Sequence, residues 1–200
     1  MAERIRAALG TLPGVRRAFL RGSLARGRTD ELSDIDVGID VSGEDNGAFA
    51  VGLPASFARL FPVEFWDWTT ALLPGAYVQT YFLQGQPLFW HVDVEISATP
   101  HVASVSREHA VQVQDRTDHF TKLWVLTAKH LLRGLPEAPD EARRLAARVL
   151  TTGAGDPDDR PVAELMRAVL DDLAARSPAG RGPFLERCAA VCARIDAAAT

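Results

Sequence analysis

Cysteine and lysine are scarce in this chain, and membrane-length apolar runs are missing. The two cysteines, Cys188 and Cys192, stand four apart in a helical pattern, which is poor geometry for a mutual disulfide and leaves no companions for a metal set nearby. Core packing is their expected role. No stretch approaches the eighteen or so uncharged apolar residues of a membrane span, and Met1-Ala2-Glu3-Arg4 lacks a secretory pattern. The expected location is therefore the cytoplasm, with no membrane partner. Excess positive charge is also missing. The first hundred residues carry 8 basic against 12 acidic side chains and the second hundred 14 against 14, with 20 of the 22 basic residues arginine. No basic face for a long polyanion emerges, so nucleic acid is not the expected partner. Monomer and homodimer stay equally open.

What is present is a change of period near residue 100. Before it, short segments alternate apolar and polar residues. After a short amphipathic helix over 3–9, strands are expected at 15–20, 33–41 and 62–68, with a hairpin of 77–83 and 88–96 about the turn Gln84-Gly85-Gln86-Pro87. Residues 48–60 are expected to be helical in part, despite Pro54. From 107 the period becomes helical. One long helix over 107–133 is expected, then helices over 140–151, from about Asp159–Pro161 onward with the stripe Val162, Leu165, Met166, Val169, Leu170 and Leu173, and through Cys188 and Cys192. Linker-like stretches fall at Thr152–Asp158 and Ser177–Pro183. The expected class is α+β: a small mixed or antiparallel sheet with flanking helices over 1–100, then a helical bundle over 101–200.

Two local patterns carry chemistry. Gly22-Ser23 follows the first strand and precedes a helical turn, so a bare backbone, a hydroxyl donor and free amides can meet an anion there. Some ten residues on, Asp34 and Asp36 are two apart on one strand face. At that spacing, about 7 Å along the backbone, both can turn toward one hard cation or bridge two. Without an ion their mutual repulsion is unfavourable. A third carboxylate on a neighbouring strand would complete the set. Asp93 is the first choice and Glu95, one pleat away, the competitor and a possible base; Asp40 stands too far along from Asp36.

Other polar residues are less specific. Arg16, Arg17, Arg21, Arg26 and Arg28 crowd the glycine turn, where some can neutralise an anion. Lys122 and Lys129 are the only lysines and lie seven apart on one helix face, where a lysine can stabilise charge on a leaving group. His91, His101, His109, His119 and His130 show no paired metal spacing and are read as satisfied histidines.

Gly22-Ser23-Leu24-Ala25-Arg26-Gly27 followed by Ser33-Asp34-Ile35-Asp36-Val37 resembles the signature of the DNA polymerase β-like nucleotidyltransferase superfamily. The resemblance implies that Gly22 and Ser23, with Arg26 and Lys129, bind the nucleotide. It implies that Asp34, Asp36 and Asp93 hold Mg2+, two ions in all, and are catalytic. The segment from Phe120 to Gly134 is similar to the one after the catalytic sheet in aminoglycoside adenylyltransferases. Transfer of a nucleoside monophosphate from an NTP, ATP first, to a hydroxyl of a small aminoglycoside-like or lincosamide-like acceptor is the implied activity. A protein-modifying, antitoxin-like enzyme and a non-catalytic nucleotide-binding module are the alternatives.

Overall fold

Alternation along the first hundred residues builds one sheet with two unlike faces. In the computed structural model, which describes residues 1–150 and 160–198, the chain divides into two compact units, Met1–Gln114 and Asp115–Thr200. The first contains α1 (Ala2–Leu9), β1 (Arg17–Leu20), α2 (Gly22–Ala25), β2 (Ile35–Asp40), α3 (Asn46–Leu60), β3 (Val63–Trp68), β4 (Tyr77–Leu83), β5 (Val92–Ser97) and α4 (Arg107–Val113). The strands lie in the order β1-β2-β5-β4-β3. Only β2 and β5 run parallel; the other three pairs are antiparallel. The expected mixed sheet is therefore present.

One face is the core. Ile35, Val37 and Ile39 of β2, Val92, Val94 and Ile96 of β5, and Tyr77 and Tyr81 of β4 pack there with Ile5 and Leu9 of α1 and Ala50, Leu53 and Phe57 of α3. Phe57 stacks on Tyr81 with ring centroids 4.0 Å apart, and burial pushes the Tyr81 hydroxyl pKa well up. Helix α3 begins at Asp45, whose carboxylate accepts from the amides of Gly47 and Ala48. It tolerates the internal Pro54. At the end of β2, Asp40 accepts from the hydroxyl and amide of Ser42, and those bonds hold its carboxyl below the ordinary aspartate value.

Three expectations need correction. The second hairpin arm starts at Val92, not Leu88. The Trp90 amide donates to the Pro87 carbonyl, and this turn buries both Leu88 and Phe89 while leaving Trp90 exposed, so the period of two is lost. The long helix over 107–133 is two helices, α4 and then α5 (Arg116–Leu132). Gln114 is extended, its side chain donating to Asp67 and to the Trp68 carbonyl, and Asp115 caps α5 by accepting from the Asp118 amide. Residues 101–114 go with the sheet rather than with the helices. The Tyr77 hydroxyl donates to the Val102 carbonyl and accepts from the Val105 amide, and Arg107 reaches the Thr70 carbonyl.

The second unit contains α5, α6 (Ala138–Val149), α7 (Val162–Arg176) and α8 (Gly182–Ala198). Of the expected stripe, Leu165, Met166, Val169, Leu170 and Leu173 are buried, as are Phe184, Cys188, Val191, Cys192 and Ile195. Both cysteines are free thiols, and burial pushes both thiol pKa values up. Trp124 donates from its indole nitrogen to the Met166 carbonyl at 2.8 Å. The linker expected at Thr152–Asp158 lies outside the described residues. Among the described residues no helix is long and apolar enough to cross a membrane.

Because Phe57 is wholly buried and ring-stacked, Phe57→Ala is expected to lower unfolding stability by about 3–5 kcal/mol. Urea titration followed by fluorescence measures it, and a loss under about 1 kcal/mol would contradict the assigned core face.

Candidate active site

The sheet face opposite the core carries the carboxylates. Arg21 closes β1 with its amide donating to the Asp36 carbonyl, and the chain then turns sharply at Gly22, which has φ 57°. A Cβ on Gly22 would lie 1.8 Å from Asp36 Oδ2. No other residue fits without moving that carboxylate. The next residue, Ser23, has a buried hydroxyl oxygen with no hydrogen-bond partner among the described residues. An orphan donor beside a bare backbone is suited to an incoming anion.

Strand register assembles the rest. Asp36 pairs with Asp93 across the parallel β2–β5 ladder, and Asp93 pairs with Thr80 of β4. The Thr80 hydroxyl donates to Asp93 Oδ1 at 2.5 Å, which fixes that side chain. Gly22, Asp36, Asp93, Arg21, Arg26 and Glu95 line, with Val78, a cavity of ≈ 290 Å³. Arg21 pairs with Glu95. Gly38 makes that reach possible, since a Cβ there would lie 2.5 Å from the Phe19 ring and 2.9 Å from Arg21 Cδ.

Asp34 stands just before β2. Its Oδ2 is 3.4 Å from Nε2 of His91, and Asp34, His91 and Asp93 each offer a ligand atom, all within 4.8 Å of one another. Two carboxylates and an imidazole so placed fit a divalent cation, which relieves the repulsion between the acids. Asp36 is outside this trio and turns toward Gly22. Asp34 also borders a second cavity of ≈ 260 Å³ with Leu24, Ser33 and Trp90.

The family model described as "Nucleotidyltransferase domain" matches residues 2–79, which include Gly22, Ser23, Asp34 and Asp36. Residues 2–79 are thus similar to a nucleotidyltransferase domain. Among solved structures the protein is similar to a chain described under "Structure and function of the polymerase core of TRAMP, a RNA surveillance complex", with 14% identity and a TM-score of 0.39. That likeness covers 86% of this chain and 55% of the other, so the chain spans about half the length of this neighbour. No curated protein matches it.

Of the residues singled out in the sequence, Gly22, Arg26, Asp36, Asp93 and Glu95 line one cavity. Asp34 joins Asp93 through the trio with His91. Among the arginines, Arg21 and Arg26 line the cavity, Arg17 lies over the Phe19 ring, Arg16 acts on Asp40 and Arg28 is exposed. Lys122 and Lys129 belong to α5 of the second unit, where both are buried and neither is free of interactions. His91 was missed. It is 1% exposed, neither ring nitrogen has a hydrogen-bond partner among the described residues, and its ring lies 5.2 Å from that of Phe82. The available signal was its place two residues before Asp93, which the expected alternation treated as an outward row.

Loss of the Ser23 hydroxyl removes one hydrogen bond to a charged phosphate, worth about 1.5–3 kcal/mol. Ser23→Ala is therefore expected to weaken nucleotide binding about 10- to 100-fold, and Gly22→Ala to abolish it by displacing the Asp36 carboxylate. Calorimetric titration with a nucleoside triphosphate, alongside thermal melts to confirm folding, measures both. Undiminished binding in folded Gly22→Ala protein would contradict the phosphate-loop assignment.

Proposed function

We propose that this protein is a polymerase β-like nucleotidyltransferase that moves a nucleoside monophosphate from ATP to a hydroxyl of a small molecule, releasing pyrophosphate, with two divalent ions in support, Mg2+ among them. The observation that carries this reading is the close approach of Gly22 to Asp36 within a cavity that also holds Asp93 and lies beside the unpartnered Ser23 hydroxyl. An anion-accepting loop and two carboxylates thus open into one small space.

In the proposed reaction, Gly22, Ser23 and the amides of α2 seat the β and γ phosphates, and Arg26 offsets their charge. Asp34, Asp36 and Asp93 hold the ions. A divalent cation there would supply charge neutralisation at the entering and leaving oxygens. The acceptor oxygen attacks the α-phosphorus in line. A new phosphorus–oxygen bond forms as the bond to the bridging oxygen breaks, its electron pair leaves with pyrophosphate, and the acceptor proton passes to a neighbouring carboxylate. Glu95 is engaged by Arg21, which favours Asp93 over it for direct contact with ion or proton.

The choice of a small acceptor is supported by the charge balance, which provides no broad basic surface, and by the cavity's size. The resemblance of 120–134 to aminoglycoside adenylyltransferases supports a small hydroxylated acceptor.

The test uses ATP labelled at the α-phosphate with a panel of hydroxylated small molecules, an oligonucleotide and a cell lysate. Label is expected on a small molecule, with Asp36→Asn lowering turnover about 10²–10³-fold, the order seen when one group stabilising transition-state charge is lost. Unchanged turnover in Asp36→Asn would refute the site. Label on a protein band or on the oligonucleotide alone would overturn the small acceptor.

A further inference from the structure

The buried imidazole beside Asp34 and Asp93 takes no part in the proposed reaction. His91 is 1% exposed and both ring nitrogens lack hydrogen-bond partners among the described residues. A buried imidazole is ordinarily hydrogen-bonded. Here Nε2 stands 3.4 Å from Asp34 Oδ2 without hydrogen-bond alignment, and the chain around it is anchored: the His91 carbonyl accepts from the Ile35 amide at 2.9 Å, and Phe82 lies against the ring. The ring is thus held in place by its backbone and an aromatic neighbour, with a nitrogen turned toward two carboxylates.

We propose that Asp34, His91 and Asp93 form a mixed nitrogen and oxygen site that binds a divalent first-row transition-metal ion, of which Mn2+ is the probe, in preference to Mg2+. This rests on the reading that Asp34 and Asp93 hold a divalent ion, and it names which kind. Ligand atoms about 2.1 Å from one ion are separated from each other by roughly 3.0–3.4 Å in octahedral or tetrahedral geometry. The Nε2 to Oδ2 separation of 3.4 Å lies in that range, and the third ligand atom is within 4.8 Å of both. Ligand type sets the preference. Mg2+ takes oxygen ligands and sheds water reluctantly, whereas an imidazole nitrogen gains affinity for the later first-row ions. Thr80, donating to Asp93 Oδ1, orients the carboxylate from behind, as an outer partner of a metal ligand does. Asp36 lies outside the trio and turns toward Gly22.

The other histidines offer no equivalent arrangement. His101 is bonded to Asn46 and to the Pro74 carbonyl, and His130 to Glu141. No other group of three such ligands occurs among the described residues.

The test adds MnCl2 alone to the full chain and reads electron spin-echo modulation, which detects a nitrogen-14 nucleus bonded to Mn2+, together with affinity from the free-ion signal. One bound Mn2+ with nitrogen modulation is expected, displaced by Mg2+ only at about tenfold or greater excess. His91→Gln is expected to erase the modulation and to weaken Mn2+ binding about 10- to 100-fold. The wild-type spectrum stands even if the variant fails to fold. Mn2+ bound without nitrogen modulation would overturn the role of His91 while leaving the carboxylate site intact. No Mn2+ bound to the chain alone, with nucleotidyl transfer still running, would overturn the preformed site but not the proposed reaction. Modulation that survives in folded His91→Gln protein would place the ion on another histidine and overturn it too.

Discussion

Asp36 stands beside Asp93 because β2 and β5 run parallel in a register that pairs Ile35 with Val92 and Val37 with Val94. The same register sends Ile35, Val37, Ile39, Val92, Val94 and Ile96 into the core beneath α1 and α3. Burial of those six side chains therefore holds the carboxylates on the outward face. A slip of one residue would exchange the two sets, placing ionised acids against Phe57 and Leu53 and the aliphatic side chains toward solvent. Packing energy on one side of the sheet is what tolerates crowded charge on the other. The parallel pairing is itself central, with β1 and β4 on either side, so neither strand can fray at an edge.

Close approach is the second constraint. Gly22 and Gly38 are two places where the absence of a side chain admits a charged group: the Asp36 carboxylate at one and the Arg21 side chain at the other. One lets an acid meet the anion loop. The other lets an arginine cross the sheet to Glu95, which keeps that acid neutralised and separates it from the Asp34–His91–Asp93 trio. Four acids along a short stretch of sheet thereby have different surroundings, and different roles follow from them.

Much of this was legible before any coordinates. The alternation over 33–41 marked β2 and its acidic face, and Gly22-Ser23 marked the turn, because both are local properties of sequence. Position 93 was legible through the same period-two argument. What failed depended on distant partners. Leu88 to His91 reads as a continuation of β5, but the turn from Pro87 to Trp90 buries consecutive residues. The break at Gln114–Asp115 depends on Asp67 and on the Trp68 carbonyl, some 46 residues away in sequence. His91 was invisible as a ligand because its companion Asp34 approaches only once β2 and β5 are side by side.

The central claim is that the Gly22–Ser23 turn and the carboxylates of Asp34, Asp36 and Asp93 form one receptor for a triphosphate and its ion. A crystal structure of the full chain with a non-hydrolysable ATP analogue and a divalent cation tests this most directly. The account predicts terminal phosphates on the Ser23 hydroxyl and the amides that follow Gly22, with the cation between phosphate oxygens and these carboxylates. A triphosphate bound elsewhere, with Asp36 still turned into the hollow at Gly22 and no cation beside it, would contradict the account.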